Sequence, residues 1–169
     1  MLQLIKITEE HKDALFDMMD EWTNTGEKIV PYAIRKNDYH DFPYYISHLD
    51  LNDANYVDTT TLFLEDSETK ELIGAVNIRH TLNESLLNNV GHIGGGVRPS
   101  KRRQGYASLM VELSLKEAKK LGLNHVLLVC DSDNTGSRST ILKNGGILED
   151  KRTDNGRINE RYWIDISHL

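Results

Sequence analysis

The residues with the clearest chemical potential form the segment Pro99-Ser100-Lys101-Arg102-Arg103-Gln104-Gly105-Tyr106-Ala107, which separates a strand-like run at 92–98 from a helix beginning near Gly105. At such a junction the first backbone N–H groups of the helix have no internal partner and face outward at the positive end of the helix dipole. A phosphate or pyrophosphate fits there. Gly105 and the small Ala107 let a ligand approach the main chain, and Arg98, Lys101, Arg102 and Arg103 add positive charge around it. Two phosphate loops are excluded: the chain has no G-x-x-x-x-G-K-[ST], and Gly94-Gly95-Gly96 does not continue into G-x-G-x-x-G.

The charge distribution supports a small anionic ligand rather than a nucleic acid. The 169 residues carry 20 Lys plus Arg against 26 Asp plus Glu, a net charge of -6. Residues 91–123 alone hold seven bases and two acids, so a +5 window sits in a chain that is -11 elsewhere, and residues 1–60 are -7. Nucleic-acid binding calls for a basic stripe on a basic domain. No apolar run approaches the roughly 20 residues of a membrane span, and Met1-Leu2-Gln3-Leu4-Ile5-Lys6 lacks a signal-peptide layout, so a cytoplasmic protein is expected. The single Cys130 permits no internal disulfide, and the seven His are scattered, so no metal is expected.

These residues need elements to position them. Leu2 to Ile7 reads as a strand, and Ala14, Leu15, Met18, Met19 and Trp22 are spaced as the apolar face of a helix. Residues 31–60 show poor periodicity but hold five of the seven tyrosines (Tyr32, Tyr39, Tyr44, Tyr45, Tyr56), which suggests an irregular or short-helical lobe. Thr61 to Glu65 and Glu71 to Arg79 form a hairpin pattern, and a polar connection leads to His92–Arg98, whose three glycines imply a bulge or a close approach by another backbone or a ligand. A helix to Leu121 ends at Gly122, His125 to Cys130 is a doubly buried strand, and after Asn134 come a short helix and two closing strands, 147–151 and 158–166. The expected fold is one α/β (α+β) domain over 1–169: a mixed, mostly antiparallel central sheet with helices on both faces.

Arg102-Arg103-Gln104-Gly105-Tyr106-Ala107 matches the [QR]-x-x-G-x-[GA] turn of the GNAT superfamily of N-acetyltransferases, after a strand ending Val97-Arg98-Pro99. Asn134 to Gly145 resembles that family's N-x-x-[AS]-x-x-x-x-x-K-x-G, with Ser137 and Lys143 in step. The resemblance covers roughly 60–150, and the element order of the whole chain agrees. A narrower likeness, to bacterial acetyltransferases of unknown acceptor, rests on Ile78-Arg79-His80-x-Leu82-Asn83 and Gly91-His92-Ile93-Gly94. The resemblance implies a splayed strand pair that holds acetyl-CoA. Arg102, Arg103, Gln104, Gly105, Tyr106 and Ala107 would take the pyrophosphate, Val97 would pair with the pantetheine arm, and Asn134 would touch the cofactor. It implies direct acetyl transfer to an amine without a metal, nucleic acid or membrane, and homodimers are common in such proteins. The Tyr that many members use to protonate the thiolate aligns with Ile141, so the alternative is a coenzyme A-binding module with impaired catalysis.

Amine attack on a thioester needs a proton acceptor near pH 7, which suits a His. His92 and His80 are the candidates, with Glu84 and Tyr162 weaker. Cys130 follows an apolar run and reads as a buried thiol. The tyrosines of the 23–60 lobe, with Asp38, Asp41, Asp50, Asp53 and Asp58, could form a pocket for a cationic amine, or be ordinary packing and solvated surface.

Overall fold

A computed structural model describes residues 1–50 and 57–169, so Asp53 and Tyr56 lie outside the described residues. Strands β1 (Leu2–Ile5), β2 (Thr59–Asp66), β3 (Leu72–Arg79) and β4 (Ile93–Val97) pair antiparallel in that order. Strands β5 (His125–Asp131), β6 (Ile147–Asp154) and β7 (Arg157–Asp165) form a second antiparallel sheet in the order β5-β7-β6. Between β4 and β5 the only pairing among the described residues is an isolated bridge, Gly91 to Leu128. The two sheets part there, which is the splay that the resemblance implies.

Alternation along β2 explains why helices cover both faces of the first sheet. Phe63 joins Leu72 and Ala75 beneath α1 (Lys12–Asn24), which buries Leu15, Met18, Met19 and Trp22. Leu62 and Leu64 join Ile73 and Val76 beneath α5 (Tyr106–Lys120), which buries Met110, Leu115 and Ala118. The core under α5 continues into the second sheet through Val126, Leu128, Tyr162 and Ile164. Gly122, at φ +94°, ends α5: its N–H donates to Lys119 O, and that of Leu123 to Ala118 O. Among the described residues no helix is long and apolar enough to cross a membrane.

Several local features depart from the sequence reading. The lobe after α1 contains two short helices, α2 (Tyr32–Arg35) and α3 (Phe42–Ser47). The polar connection before β4 contains α4 (Glu84–Asn89), whose Leu86 N–H donates to Asn83 Oδ1 at 2.9 Å; six residues are too few for periodicity to show. Strands β6 and β7 extend beyond 147–151 and 158 to flank Asn155-Gly156, both left-handed (φ +50° and +78°), as a two-residue turn of type I′ requires. Between β5 and β6, α6 (Thr135–Lys143) occupies the place expected for a short helix.

The three glycines of β4 produce no bulge, since register with β3 is unbroken. The close approach is the chain's own. A Cβ on Gly96 would collide with the Val30 carbonyl oxygen and lie 2.8 Å from Val30 Cγ2 and 3.0 Å from Trp22 Cη2. The segment Val30-Pro31-Tyr32 is thereby strapped onto β4. Gly96→Ala should therefore destabilise by roughly 2 kcal/mol through overpacking and lower the melting temperature by about 4–8 °C, measured by scanning calorimetry.

Candidate functional site

The parting of β4 from β5 opens a cleft of about 760 Å³, lined by β4, the start of α5, β5 and α6, with Val30–Tyr32 also in its lining. Val97, Arg102, Arg103, Gly105, Tyr106, Ala107 and Asn134 all line it. Gln104 does not; its Nε2 donates to Ser100 O at 3.2 Å. Asn134 caps α6 by accepting the Ser137 N–H at 3.0 Å, which leaves its amide NH₂ group for other use.

Ladder parity fixes which peptide groups face the cleft. Arg79 N–H donates to His92 O and Arg98 N–H to Ile73 O, one at each end of the β3–β4 register. Hydrogen-bonded and open pairs alternate in an antiparallel ladder, so Gly94 and Gly96 turn their peptides toward β3. Ile93, Gly95 and Val97 turn theirs outward. The Val97 carbonyl accepts Arg102 Nε at 3.0 Å. The line of outward groups leads into the turn, where Arg103 (φ +61°) and Gly105 (φ +86°) are left-handed and no side chain caps α5. Left-handed residues in such a turn draw neighbouring N–H groups toward one concavity, a nest for an anion.

The basic turn is largely neutralised by Asp17, Glu21 and Glu27 of the amino-terminal third and by Glu71 before β3. Arg98, expected beside the phosphate, is instead only 3% exposed and donates to Asp17, Glu21 and Leu72 O. Burial works to raise the Glu21 pKa, but hydrogen bonds from Arg98 and Ser100 and the Arg98 charge together bring it to about 2. Lys101 pairs with Glu71 at 2.9 Å, and Arg102 pairs with Glu27, whose pKa its hydrogen bond lowers. Arg103 makes no ion pair among the described residues. Three other acids of this third are also occupied: Asp20 accepts from Tyr39, Asp50 from Thr59 and Thr61, and Asp38 pairs with His40. Asp38, Asp41, Asp50 and Asp58 do not line the cleft, and of the described tyrosines in the 32–56 lobe only Tyr32 does.

The two His candidates also lie outside the cleft lining. His92 Nδ1 accepts the Leu127 N–H at 2.9 Å while the His92 backbone N–H donates to Leu127 O at 2.8 Å. Its ring replaces a main-chain acceptor where the sheets separate, so the nitrogen that would accept a proton is engaged. Burial, with help from the Arg79 charge, lowers its pKa to about 4. His80 Nε2 lies 2.7 Å from Thr60 Oγ1. Glu84 is exposed at the start of α4. Tyr162 is buried and donates to Glu160 Oε1 at 2.7 Å; hydrogen bonds from Arg138 and then Tyr162 hold Glu160 at about 2. Cys130 is buried, and burial followed by the Glu160 charge raises its thiol pKa. Ile141, only 2% exposed, forms part of the cleft wall. Among the described residues no group of three or more His, Cys, Asp or Glu could hold a metal.

His92 makes stability depend on pH. The folded protein binds its proton only near pH 4, whereas an unfolded His does so near 6.5. Its contribution is therefore complete above about pH 6.5 and lost as pH falls toward 4, on the order of 3 kcal/mol. Urea unfolding across this range should show that loss in the wild type. His92→Asn, whose amide oxygen can still accept from Leu127, should show a flatter profile.

Tyr32, Arg79 and Thr140, none of which the sequence reading assigned to the cofactor site, also line the cleft. Tyr32 entered the sequence reading only as one of the lobe's tyrosines, and the glycine run of β4 pointed to a close neighbour without identifying it.

A family model described as acetyltransferase (GNAT) domain matches residues 1–147. No curated protein matches the sequence. Among solved structures, mutant forms of the spermidine/spermine N-acetyltransferase SpeG from Vibrio cholerae align over 99% of this chain and 96% of theirs, with TM-score 0.64 and 16% identity. The microcin C7 self-immunity acetyltransferase MccE, in complex with acetyl-CoA and AMP, aligns over 98% and 92%, with TM-score 0.68 and 17% identity. An acetyltransferase from Salmonella typhimurium that modifies the N-terminal serine of ribosomal protein L7/L12 aligns over 98% and 95%, with TM-score 0.64 and 16% identity. At such identities the likeness is one of fold.

Proposed function

Because the chain belongs to the acetyltransferase (GNAT) family, we propose that it binds acetyl-CoA in the β4–β5 cleft and passes the acetyl group directly to an amine. One observation carries this reading: outward-facing peptides at Ile93, Gly95 and Val97 run into an uncapped helix start along a single cleft. The residues fit the ligand, because a Cβ on Gly105 would meet nothing within 4 Å, which leaves an open cradle over the first amides of α5. Arg103, Gly105, Tyr106 and Ala107 would hold the pyrophosphate from the main chain, with the Arg103 charge beside it. Gln104 would contribute its backbone alone. Arg102 acts by fixing the turn to Val97 and Glu27. The β4 edge would receive the pantetheine arm as an added strand, and Asn134 Nδ2 would donate from the opposite wall.

The amine must shed a proton as the new bond forms. With His92 Nδ1 held by Leu127 and His80 outside the lining, an ordered water serves as acceptor better than either His. The whole chain acts as one domain, with the Val30–Tyr32 strap and the lobe after it on the acceptor side. Ile141 in the cleft wall favours one second reading, a coenzyme A-binding module without turnover. Thiol release from acetyl-CoA across a panel of primary amines separates the two: release on any amine supports the transferase, and binding without release supports the module. At a hundredfold excess over Kd, acetyl-CoA should stabilise the fold by ~2.7 kcal/mol, raising the melting temperature by about 5–11 °C. Absence of both a melting shift and calorimetric heat at millimolar acetyl-CoA would contradict the reading.

A further inference from the structure

We propose that Lys143 binds the phosphate monoester on the ribose of coenzyme A, so that the cleft selects the complete cofactor over one lacking that phosphate; the inference rests on the acetyl-CoA reading above. Coenzyme A carries two kinds of phosphate. Its pyrophosphate has one negative charge on each phosphorus, whereas the ribose 3′-phosphate is a monoester with a second pKa of about 6, close to doubly charged at neutral pH. The first amides of α5 suit the pyrophosphate. They leave the monoester, the most highly charged group of the ligand, in need of a cation.

The cations of the cleft differ in what already holds them. Lys101 pairs with Glu71 at 2.9 Å, and Arg102 pairs with Glu27. Arg79 lies toward the other end of β4, its guanidinium 3.7 Å from where a Gly94 Cβ would be. Arg103 belongs to the turn, beside the pyrophosphate. Lys143 is the remaining basic residue in the lining, and among the described residues its ammonium group makes no hydrogen bond or ion pair. No described Asp or Glu lines the cleft to compete for it.

A lysine at a helix end often serves the last carbonyls, but α6 satisfies its own. The N–H groups of Asn144, Gly145 and Gly146 donate to Thr140 O at 3.2 Å, Leu142 O at 3.1 Å and Ile141 O at 3.0 Å. The same turn fixes where α6 stops, since a Cβ on Gly146 would lie 2.9 Å from the Ile141 carbonyl oxygen. On its other side Asn144 Nδ2 donates to Ser108 O and Oγ, both at 3.2 Å, which ties the end of α6 to the first turn of α5. Lys143 is therefore held beside the anion-binding turn, with its side chain in the cleft and its charge uncommitted.

Calorimetric titrations with coenzyme A and with 3′-dephospho-coenzyme A test this on the wild type, Lys143→Gln, Lys143→Arg and Arg103→Gln. Low ionic strength is used because exposed charges are least screened there. The wild type should bind coenzyme A roughly tenfold more tightly than the dephospho form, the worth of a hydrogen bond between charged groups. Lys143→Gln should bring the two affinities within about twofold by weakening coenzyme A alone, and Lys143→Arg should keep the preference. Arg103→Gln should weaken both ligands and leave their ratio unchanged. Any one of three results would overturn the inference: a Lys143→Gln variant that keeps the preference, one that weakens both ligands alike, or a preference lost in Arg103→Gln but not in Lys143→Gln. The failures are separable. A wild type that binds neither ligand overturns the acetyl-CoA reading and this inference with it, whereas a wild type that binds both equally overturns this inference alone.

Discussion

Gly105→Val should cost the protein at least a hundredfold in acetyl-CoA affinity, read by calorimetric titration, while the fold persists. The space above Gly105 is open, so a valine side chain would meet no protein atom within 4 Å of its Cβ. It would instead occupy the route by which an anion reaches the first amides of α5. At φ +86° a β-branched residue also carries backbone strain, roughly 1–2 kcal/mol, so the melting temperature should fall by only a few degrees. Binding and stability are thereby uncoupled. A variant with unchanged affinity would place the ligand elsewhere, and one that is unfolded would give the glycine a different role.

The largest stability effect is expected at Arg98. Its guanidinium lies among Asp17, Glu21 and Glu71 and also satisfies the Leu72 carbonyl. Arg98→Met retains most of the volume and removes the charge, leaving Asp17 and Glu21 without the guanidinium and the Leu72 carbonyl without its donor. Breaking a buried pair in this way costs about 3–5 kcal/mol, or roughly 6–20 °C in melting temperature for a chain of this size. The pH dependence supplies a check. Glu21 titrates near 2 when folded against an ordinary 4.5, so its contribution is complete above about pH 4.5 and fades as pH falls toward 2. The difference in stability between wild type and Arg98→Met should therefore narrow below pH 4.5.

Arg98 also shows where sequence reading reached its limit. Four bases within six residues, Arg98 to Arg103, read as one cationic site. Charge along a chain does not reveal which side chains fold inward. Arg98 alternates with Val97 at the end of a strand and turns toward α1, so it is an anchor between helix and sheet whose partners include Asp17 and Glu21 of α1. His92 follows the same logic: composition shows an imidazole near the expected thioester, but only the register of Gly91 with Leu128 shows its ring engaged by a backbone amide.

The backbone architecture was far more legible, because it rests on short-range patterns. The hairpin pattern of Thr61–Glu65 and Glu71–Arg79, the apolar spacing of α1 and the glycines at 105 and 122 each impose a local geometry that tertiary structure retained. The features that escaped notice were short or long-range: α4 has six residues, and the role of Gly96 depends on Val30, far away in sequence. The Asn155-Gly156 turn was readable in principle, since both residues favour positive φ.

The central claim is that acetyl-CoA lies along the outer edge of β4 with its pyrophosphate on the start of α5. Backbone amide NMR during an acetyl-CoA titration tests it residue by residue. The account predicts saturable shifts at Ile93, Gly95 and Val97 and at residues 103–108, with smaller changes at Gly94 and Gly96, whose peptides face β3. Saturable shifts confined to another surface, or none along β4 and the turn at millimolar acetyl-CoA, would contradict it.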